Sequence, residues 1–303
     1  MAKAHGKVIL LGEHAVVYGV PALAAGISRG VEAQARPTEG VSVLTIDGGP
    51  TVRADDPGDL ARALRAVLDY TKKDNAIALA IQVTGELPPG AGLGCSAALG
   101  VAIARAVAEA RGEQPTIAEE HQRALAWEEV FHGNPSGVDT AVSAQGGCVL
   151  FTRGTPPTIT PLYVRRPLSL AIGHSGTGSS TKVMVEGVAH FKARSPEVFG
   201  KTLEGIRSLV QNARLCLESG DLPGLGKLMD LNQMLLSGLM LSTSEIETLC
   251  ASARAAGALG AKLTGAGGGG CVVALCEGDA APILEAWTRL GFEAFASTVA
   301  ASP

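Results

Sequence analysis

Residues 88–98 read PPGAGLGCSAA, and this stretch decides how the rest of the chain is read. Gly90, Gly92 and Gly94 remove three side chains within five positions, so the backbone can turn sharply and come close to a ligand. The small residues that follow predict a helix over 97–111, which aims its free N–H groups and positive dipole end back at the loop. A glycine loop feeding a helix N-terminus is a phosphate cradle. It is not a Walker A loop, because no Gly-Lys-Ser/Thr follows at the required spacing.

Working outward, residues 7–11, 30–35, 41–46 and 76–84 combine β-branched residues with turn signals at their ends, which predicts strands. Residues 59–69 place apolar side chains at helical spacing behind an Asp-Pro-Gly turn, and further helices are predicted at 117–131. A strand at 147–152 closes the first half. Strands and helices mix here without regular β-α-β alternation, so an α+β fold is expected rather than a doubly wound sheet. Residues 154–167, GTPPTITPLYVRRP, carry four prolines and mark the expected boundary between two domains, 1–160 and 161–303. Beyond it a strand is predicted at 168–173 and helices at 181–194, 196–219, 222–240 and 243–257. Strands at 261–264 and 271–276, a helix at 279–290 and a strand at 292–299 complete the chain.

A length of 303 residues with 46% hydrophobic and 18% charged residues suits two ordinary globular domains. Net charge is −4 and no block of five Lys or Arg occurs, which argues against nucleic acid or an anionic membrane as partner. The first residues, MAKAHGKVILLGEH, have too short an apolar run for a signal peptide, and no apolar segment of about 18 residues occurs, so a cytoplasmic protein is expected. The six cysteines include no C-x-x-C pair and are read as reduced thiols or small core residues, not as a zinc site. A homodimer is the default assembly, being the commonest among soluble proteins.

Three further segments carry chemistry: KVILLGEHAVVYG (7–19), EEVFHGNPSGVD (128–139) and KLTGAGGGGCVVAL (262–275). Residues 265–270 match G-x-G-x-x-G, but a dinucleotide site needs a helix after the glycines, whereas CVVALC reads as a strand. The glycine run is therefore a turn between two strands, allowing close approach of other backbone. Asn134-Pro135-Ser136-Gly137 reads as a tight turn that delivers Asp139 to the next element, as a helix cap or as a functional carboxylate. With Glu128 eleven residues earlier and a phosphate loop nearby, the two carboxylates suggest one metal ligand and one base.

Taken together and in this order, the four segments resemble the GHMP small-molecule kinases over most of the chain. Gly12-Glu13-His14-Ala15-Val16-Val17 points to the mevalonate-phosphorylating branch, since galactokinase-like members usually place Asp-Tyr at Ala15-Val16. SGTGSSTKVMV (175–185) is similar to a segment of the same branch. The resemblance implies an N-terminal domain like ribosomal protein S5 domain 2 and a ferredoxin-like C-terminal domain with extra helices. It also implies transfer of phosphate from ATP to the C5 hydroxyl of (R)-mevalonate, giving 5-phosphomevalonate for isoprenoid synthesis.

By resemblance, Gly90, Ala91, Gly92, Leu93, Gly94, Cys95 and Ser96 cradle ATP, and Ser96 with Glu128 holds Mg²⁺. Asp139 accepts the hydroxyl proton, and Lys7 lies beside it. Glu13, His14 and Thr181 shape the mevalonate pocket, with a cleft between the domains. Two departures stand out: Cys95-Ser96 replaces the usual Ser-Ser, and Gly178-Ser179 replaces a commonly charged pair. The rival readings are a phosphomevalonate or sugar kinase of the same superfamily and a binding protein without turnover.

Overall fold

The computed structural model describes residues 1–70, 77–88, 90–133, 135–178 and 180–302. Ala76 at the predicted strand start, Pro89 in the glycine stretch, Asn134 in the predicted turn and Ser179 lie outside them. Two compact units form, neither continuous in sequence. The first contains Met1–Gly6, Arg29–Pro89 and Gly94–Gly146; the second contains Lys7–Ser28, Gly90–Leu93 and Gly147–Pro303. Strands β1 (Ala2–Leu11) and β2 (Ala22–Pro37) contribute residues to both.

In the first unit, the end of β2 pairs antiparallel with β5 (Leu79–Gly85), from Val31 opposite Gly85 to Pro37 opposite Leu79. Strand β3 (Val43–Ile46) runs parallel to β5 and antiparallel to the short β4 (Val52–Arg53). The unit's helices are α1 (Asp59–Tyr70), α2 (Cys95–Ala110), α3 (Ile117–His132) and α4 (Val138–Gln145). Helix α2 is rich in Ala, with Gly100 among them, because neighbours crowd it: α1, α3, α4 and β5 all pack against it. Helix α3 starts on a capping box, in which Thr116 Oγ1 accepts from the Glu119 N–H at 3.3 Å and the Glu119 carboxylate accepts from the Thr116 N–H at 2.7 Å.

In the second unit, Ala22–Ala25 of β2 pairs with β6 (Cys148–Thr152), and β6 pairs with β7 (Thr158–Pro161). A separate antiparallel sheet contains β8 (Leu168–His174), β9 (Gly260–Thr264), β10 (Cys271–Cys276) and β11 (Glu293–Val299) in the order β11-β8-β10-β9. In that order the first and third strands are central and the fourth and second are at the edges, as in a ferredoxin-like sheet. Four helices stand between its first two strands, α5 (Thr181–Arg194), α6 (Pro196–Ser219), α7 (Leu222–Gly238) and α8 (Ser244–Ala255), while α9 (Ala281–Arg289) joins the last two. The Asp221 carboxylate caps α7 by accepting from the Gly224 N–H at 2.9 Å, and Thr243 Oγ1 caps α8 by accepting from the Ile246 N–H. Strand β10 is buried at every position, and the Trp287 indole N–H donates to the Leu249 carbonyl at 2.9 Å in the adjoining core.

Two expectations need correction. Strand β2 is sixteen residues long, although only 30–35 read as a strand, because its first half, Ala22-Leu23-Ala24-Ala25-Gly26, is held by burial and pairing rather than by β propensity. The proline-rich stretch also contains strand β7, which pairs with β6 alone, an edge position that tolerates Pro161. Among the described residues, no helix is long and apolar enough to cross a membrane.

Candidate active site

Strand β1 buries Lys7, whose ammonium donates to the Gly92 carbonyl at 2.9 Å. The Lys7 backbone N–H donates to the Leu93 carbonyl at 2.9 Å, so the strand grips the glycine loop twice. Behind the loop lies the turn 265–270 that joins β9 to β10, and the two glycine backbones touch. A Cβ on Gly92, whose φ is +78°, would stand 3.2 Å from the Thr264 carbonyl, and one on Gly265 would stand 3.2 Å from the Gly92 carbonyl. The glycine run thus acts as a close-packed support, as its sequence context implied, and no helix follows it.

Past Gly12, β1 ends in a strained corner. His14 has φ 58° and ψ −43°, a sparsely populated region for an L residue that costs on the order of 1–3 kcal/mol. Its Nε2 bonds the Ala266 carbonyl at 2.7 Å. A carbonyl only accepts, so Nε2 carries the proton, and in the neutral ring Nδ1 is an acceptor. Burial lowers the His14 pKa, with the Ala266 bond opposing, which favours that neutral ring. The adjacent Glu13 is fully buried, bonded to the Lys262 ammonium through one oxygen and accepting from Asn232 Nδ2 at 3.1 Å through the other.

In the first unit, Gly94 adopts a left-handed conformation, φ 73°, and α2 starts at Cys95. The Ser96 hydroxyl donates to the Glu128 carboxylate, which α3 holds almost out of solvent. Cys95 is half-buried, its thiol directed to the Leu87 carbonyl at 3.7 Å, and burial raises its pKa, with Asp47 and Glu128 adding to the effect. The loop thiol is therefore not an activated nucleophile.

Asp139 sits in the first turn of α4, after Gly137 at φ 84°. Its neighbour Thr140 places its hydroxyl 2.9 Å from His121 Nδ1 and 3.1 Å from the Gly137 carbonyl, so it hydrogen-bonds the ring in whichever sense the tautomer sets. His121 is buried, and burial drops its pKa to about 4. Thr181, the remaining residue singled out from sequence, is the exposed first residue of α5.

The structure therefore joins Lys7 to the glycine loop, Ser96 to Glu128, and His14 to the glycine run. Glycine backbone ahead of a helix N-terminus is chemistry that suits a phosphate group. The comparisons with known proteins point the same way. Residues 60–147 match the GHMP kinases N terminal domain, and residues 213–293 match GHMP kinases C terminal. The chain is 34% identical over 316 residues to a mevalonate kinase of Thermococcus gammatolerans, covering 96% of this chain and 93% of that one. It is 35% identical over 302 residues to a mevalonate kinase of Pyrococcus horikoshii, covering 92% and 89%. The chain belongs to the mevalonate kinase family.

Among solved structures, the L. major mevalonate kinase in complex with R-mevalonate has a TM-score of 0.87 at 32% identity, covering 99% of this chain and 95% of that one. The Lactococcus lactis galactokinase complexed with galactose, at TM-score 0.80 and 18% identity, shares the fold. The two-domain α+β fold of the mevalonate kinases is thus the fold of this chain. Sequence reading missed Lys262, Asn232 and His121. For Lys262 a signal existed: a lysine inside an apolar strand needs a buried partner.

Proposed function

We propose that the chain transfers the γ-phosphoryl group of ATP to the C5 hydroxyl of (R)-mevalonate, yielding 5-phosphomevalonate and ADP. The observation that carries this reading is the double grip of Lys7 on the Gly92-Leu93 loop, in a chain whose full-length relatives are mevalonate kinases. Phosphoryl transfer asks a protein mainly for alignment and charge compensation. Gly90, Ala91, Gly92, Leu93, Gly94, Cys95 and Ser96 form the ATP cradle.

Ser96 and Glu128 offer a hydroxyl and a carboxylate side by side at the start of α2, hard oxygen donors of the kind Mg²⁺ takes. That donor set fits the ion, which when bound neutralises charge on the β- and γ-phosphates. Asp139 takes the C5 hydroxyl proton, and the Lys7 ammonium stabilises the alkoxide as it forms. His14 Nδ1 accepts a hydrogen bond from a mevalonate hydroxyl, Glu13 orients that corner, and Thr181 adds a polar contact. Residues 1–160 serve as the ATP-binding domain and 161–303 as the C-terminal domain. Six thiols without disulfides suit a cytoplasmic setting, and a homodimer is the assembly to test by sedimentation.

A coupled ADP-release assay with mevalonate, phosphomevalonate, galactose and no acceptor tests the reading. Mevalonate should be the substrate that releases ADP. Release with another acceptor alone would make the protein a different GHMP kinase, and ATP binding without ADP release would make it a binding homologue.

A further inference from the structure

Lys262 has no part in the chemistry above, yet among the described residues it is the largest charged side chain wholly shut off from solvent. It sits in mid-β9, whose five residues are all buried. Its ammonium donates to the Glu13 carboxylate, to the Leu263 carbonyl and to the Ile9 carbonyl at 3.4 Å, so each of its three N–H groups has an acceptor. The remaining Glu13 oxygen accepts from Asn232 of α7. Helix α7 also fixes β9 itself: the Ala261 N–H donates to Asp230 Oδ1 at 2.9 Å and the Leu263 N–H to Gln233 Oε1 at 2.9 Å. Across from them, the Ile9 N–H donates to Thr264 Oγ1 at 2.8 Å.

One ammonium therefore ties β1, the Gly12-Glu13-His14 corner and β9 together. Strand β9 leads within a few residues to Ala266, the acceptor of the His14 ring. Both ends of the His14 to Ala266 bond are thus anchored on Lys262, one through Glu13 and one through the strand. Stability is a weak reason for such a pair, because burial opposes the charge on both partners and apolar replacements of buried ion pairs are often neutral or stabilising. Holding one arrangement of a strained corner is a stronger one.

We propose that Lys262 is a positioning residue for the acceptor substrate: through Glu13 it fixes the His14 corner so that Nδ1 meets mevalonate. The inference rests on the assignment of His14 to mevalonate made above. Its test compares Lys262→Met, Glu13→Gln and the double variant. The double variant leaves no lone buried charge, so it keeps the question answerable if Lys262→Met fails to fold. Lys262→Met should raise the mevalonate KM at least tenfold while the ATP KM stays within twofold. The double variant should raise it no further than the larger single effect, because residues that act as one unit are not additive.

Nitrogen-detected NMR of the His14 ring supplies a readout independent of turnover: a single Nε2-protonated tautomer in the unmodified protein, lost in the variants. A folded double variant with a mevalonate KM within twofold of normal and an unchanged His14 signal would overturn the proposal. So would equal changes in kcat and both KM values, the mark of general loosening. If the unmodified protein releases no ADP with mevalonate, the functional reading fails, and the His14 signal alone then decides whether Lys262 holds the corner.

Discussion

At Asp139 the proposed chemistry becomes a single proton. Asp139→Asn keeps the shape of the side chain and removes the acceptor, so turnover should fall by about 10²–10⁴-fold, the range for general bases, with nucleotide affinity nearly unchanged. Single-turnover kinetics alongside nucleotide titration check this, and near-normal turnover would remove Asp139 from the role. Glu128→Gln changes a different observable. It leaves the Ser96 bond feasible but withdraws the carboxylate charge, so the Mg²⁺ concentration for half-maximal activity should rise about tenfold or more. An unshifted metal titration would reassign the ligand. Lys7, Ser96 and Glu128 could be singled out because each sits in a short motif, and the structure gives them the contacts Lys7 to Gly92 and Ser96 to Glu128. Lys262 and His121 were not, because their partners lie 249 and 19 positions away and only folding brings them together.

Among elements, α3 and α4 are coupled through a histidine that native packing keeps neutral. The His121 pKa falls to about 4 in the folded chain against about 6.5 in an unfolded one. Above pH 6.5 both states hold the neutral ring and the group contributes nothing. As pH falls below 6.5 the unfolded chain binds a proton that the native state refuses until about pH 4, so stability declines across that window, by about 3 kcal/mol in total. His121→Asn can still hydrogen-bond Thr140, as donor or acceptor, but does not titrate. The stability gap between the two proteins in urea should therefore narrow steadily from pH 6.5 to 4, and parallel curves would refute the assignment.

The α2–α3 contact makes a second prediction: a Cβ on Gly100 would lie 2.9 Å from the Trp127 ring. Overpacking of this kind costs about 1–3 kcal/mol and outweighs the ~1 kcal/mol that alanine gains in helix propensity. Gly100→Ala should lower the urea midpoint, whereas an unchanged or higher midpoint would mean that Trp127 moves freely. The start of α3 at 117 was readable, and the cap that Thr116 and Glu119 form there is local chemistry. The first half of β2 and the edge strand β7 were not, since small residues and prolines adopt strand geometry there only because neighbours pair with them.

Across the whole molecule, chain order and folded units part company. Composition and the proline-rich stretch point to a division near residue 160, but the second unit draws in Lys7–Ser28 and Gly90–Leu93 from far upstream. No local signal marks that recruitment, because the partners of Ile9, Glu13 and His14 lie 249 to 255 positions along the chain. Within that unit, Val8, Leu10, Leu11, Leu23 and Ala24 are buried, and Glu13, His14 and Ile9 meet Lys262, Ala266 and Thr264. A fragment containing residues 161–303 alone would keep the four strands β8 to β11 and the core around Trp287. It would lose every one of those upstream partners, leaving Lys262 without its carboxylate and baring apolar surface worth about 25 cal/mol per Å². Expressed alone, it should therefore lack a cooperative urea transition and bind a hydrophobic dye. Adding a synthetic segment of residues 1–28 in trans should restore part of the cooperativity, because that segment carries the missing partners. A fragment that unfolds as sharply as the full chain would show that residues 161–303 are a self-sufficient domain and that the upstream strands merely rest on it.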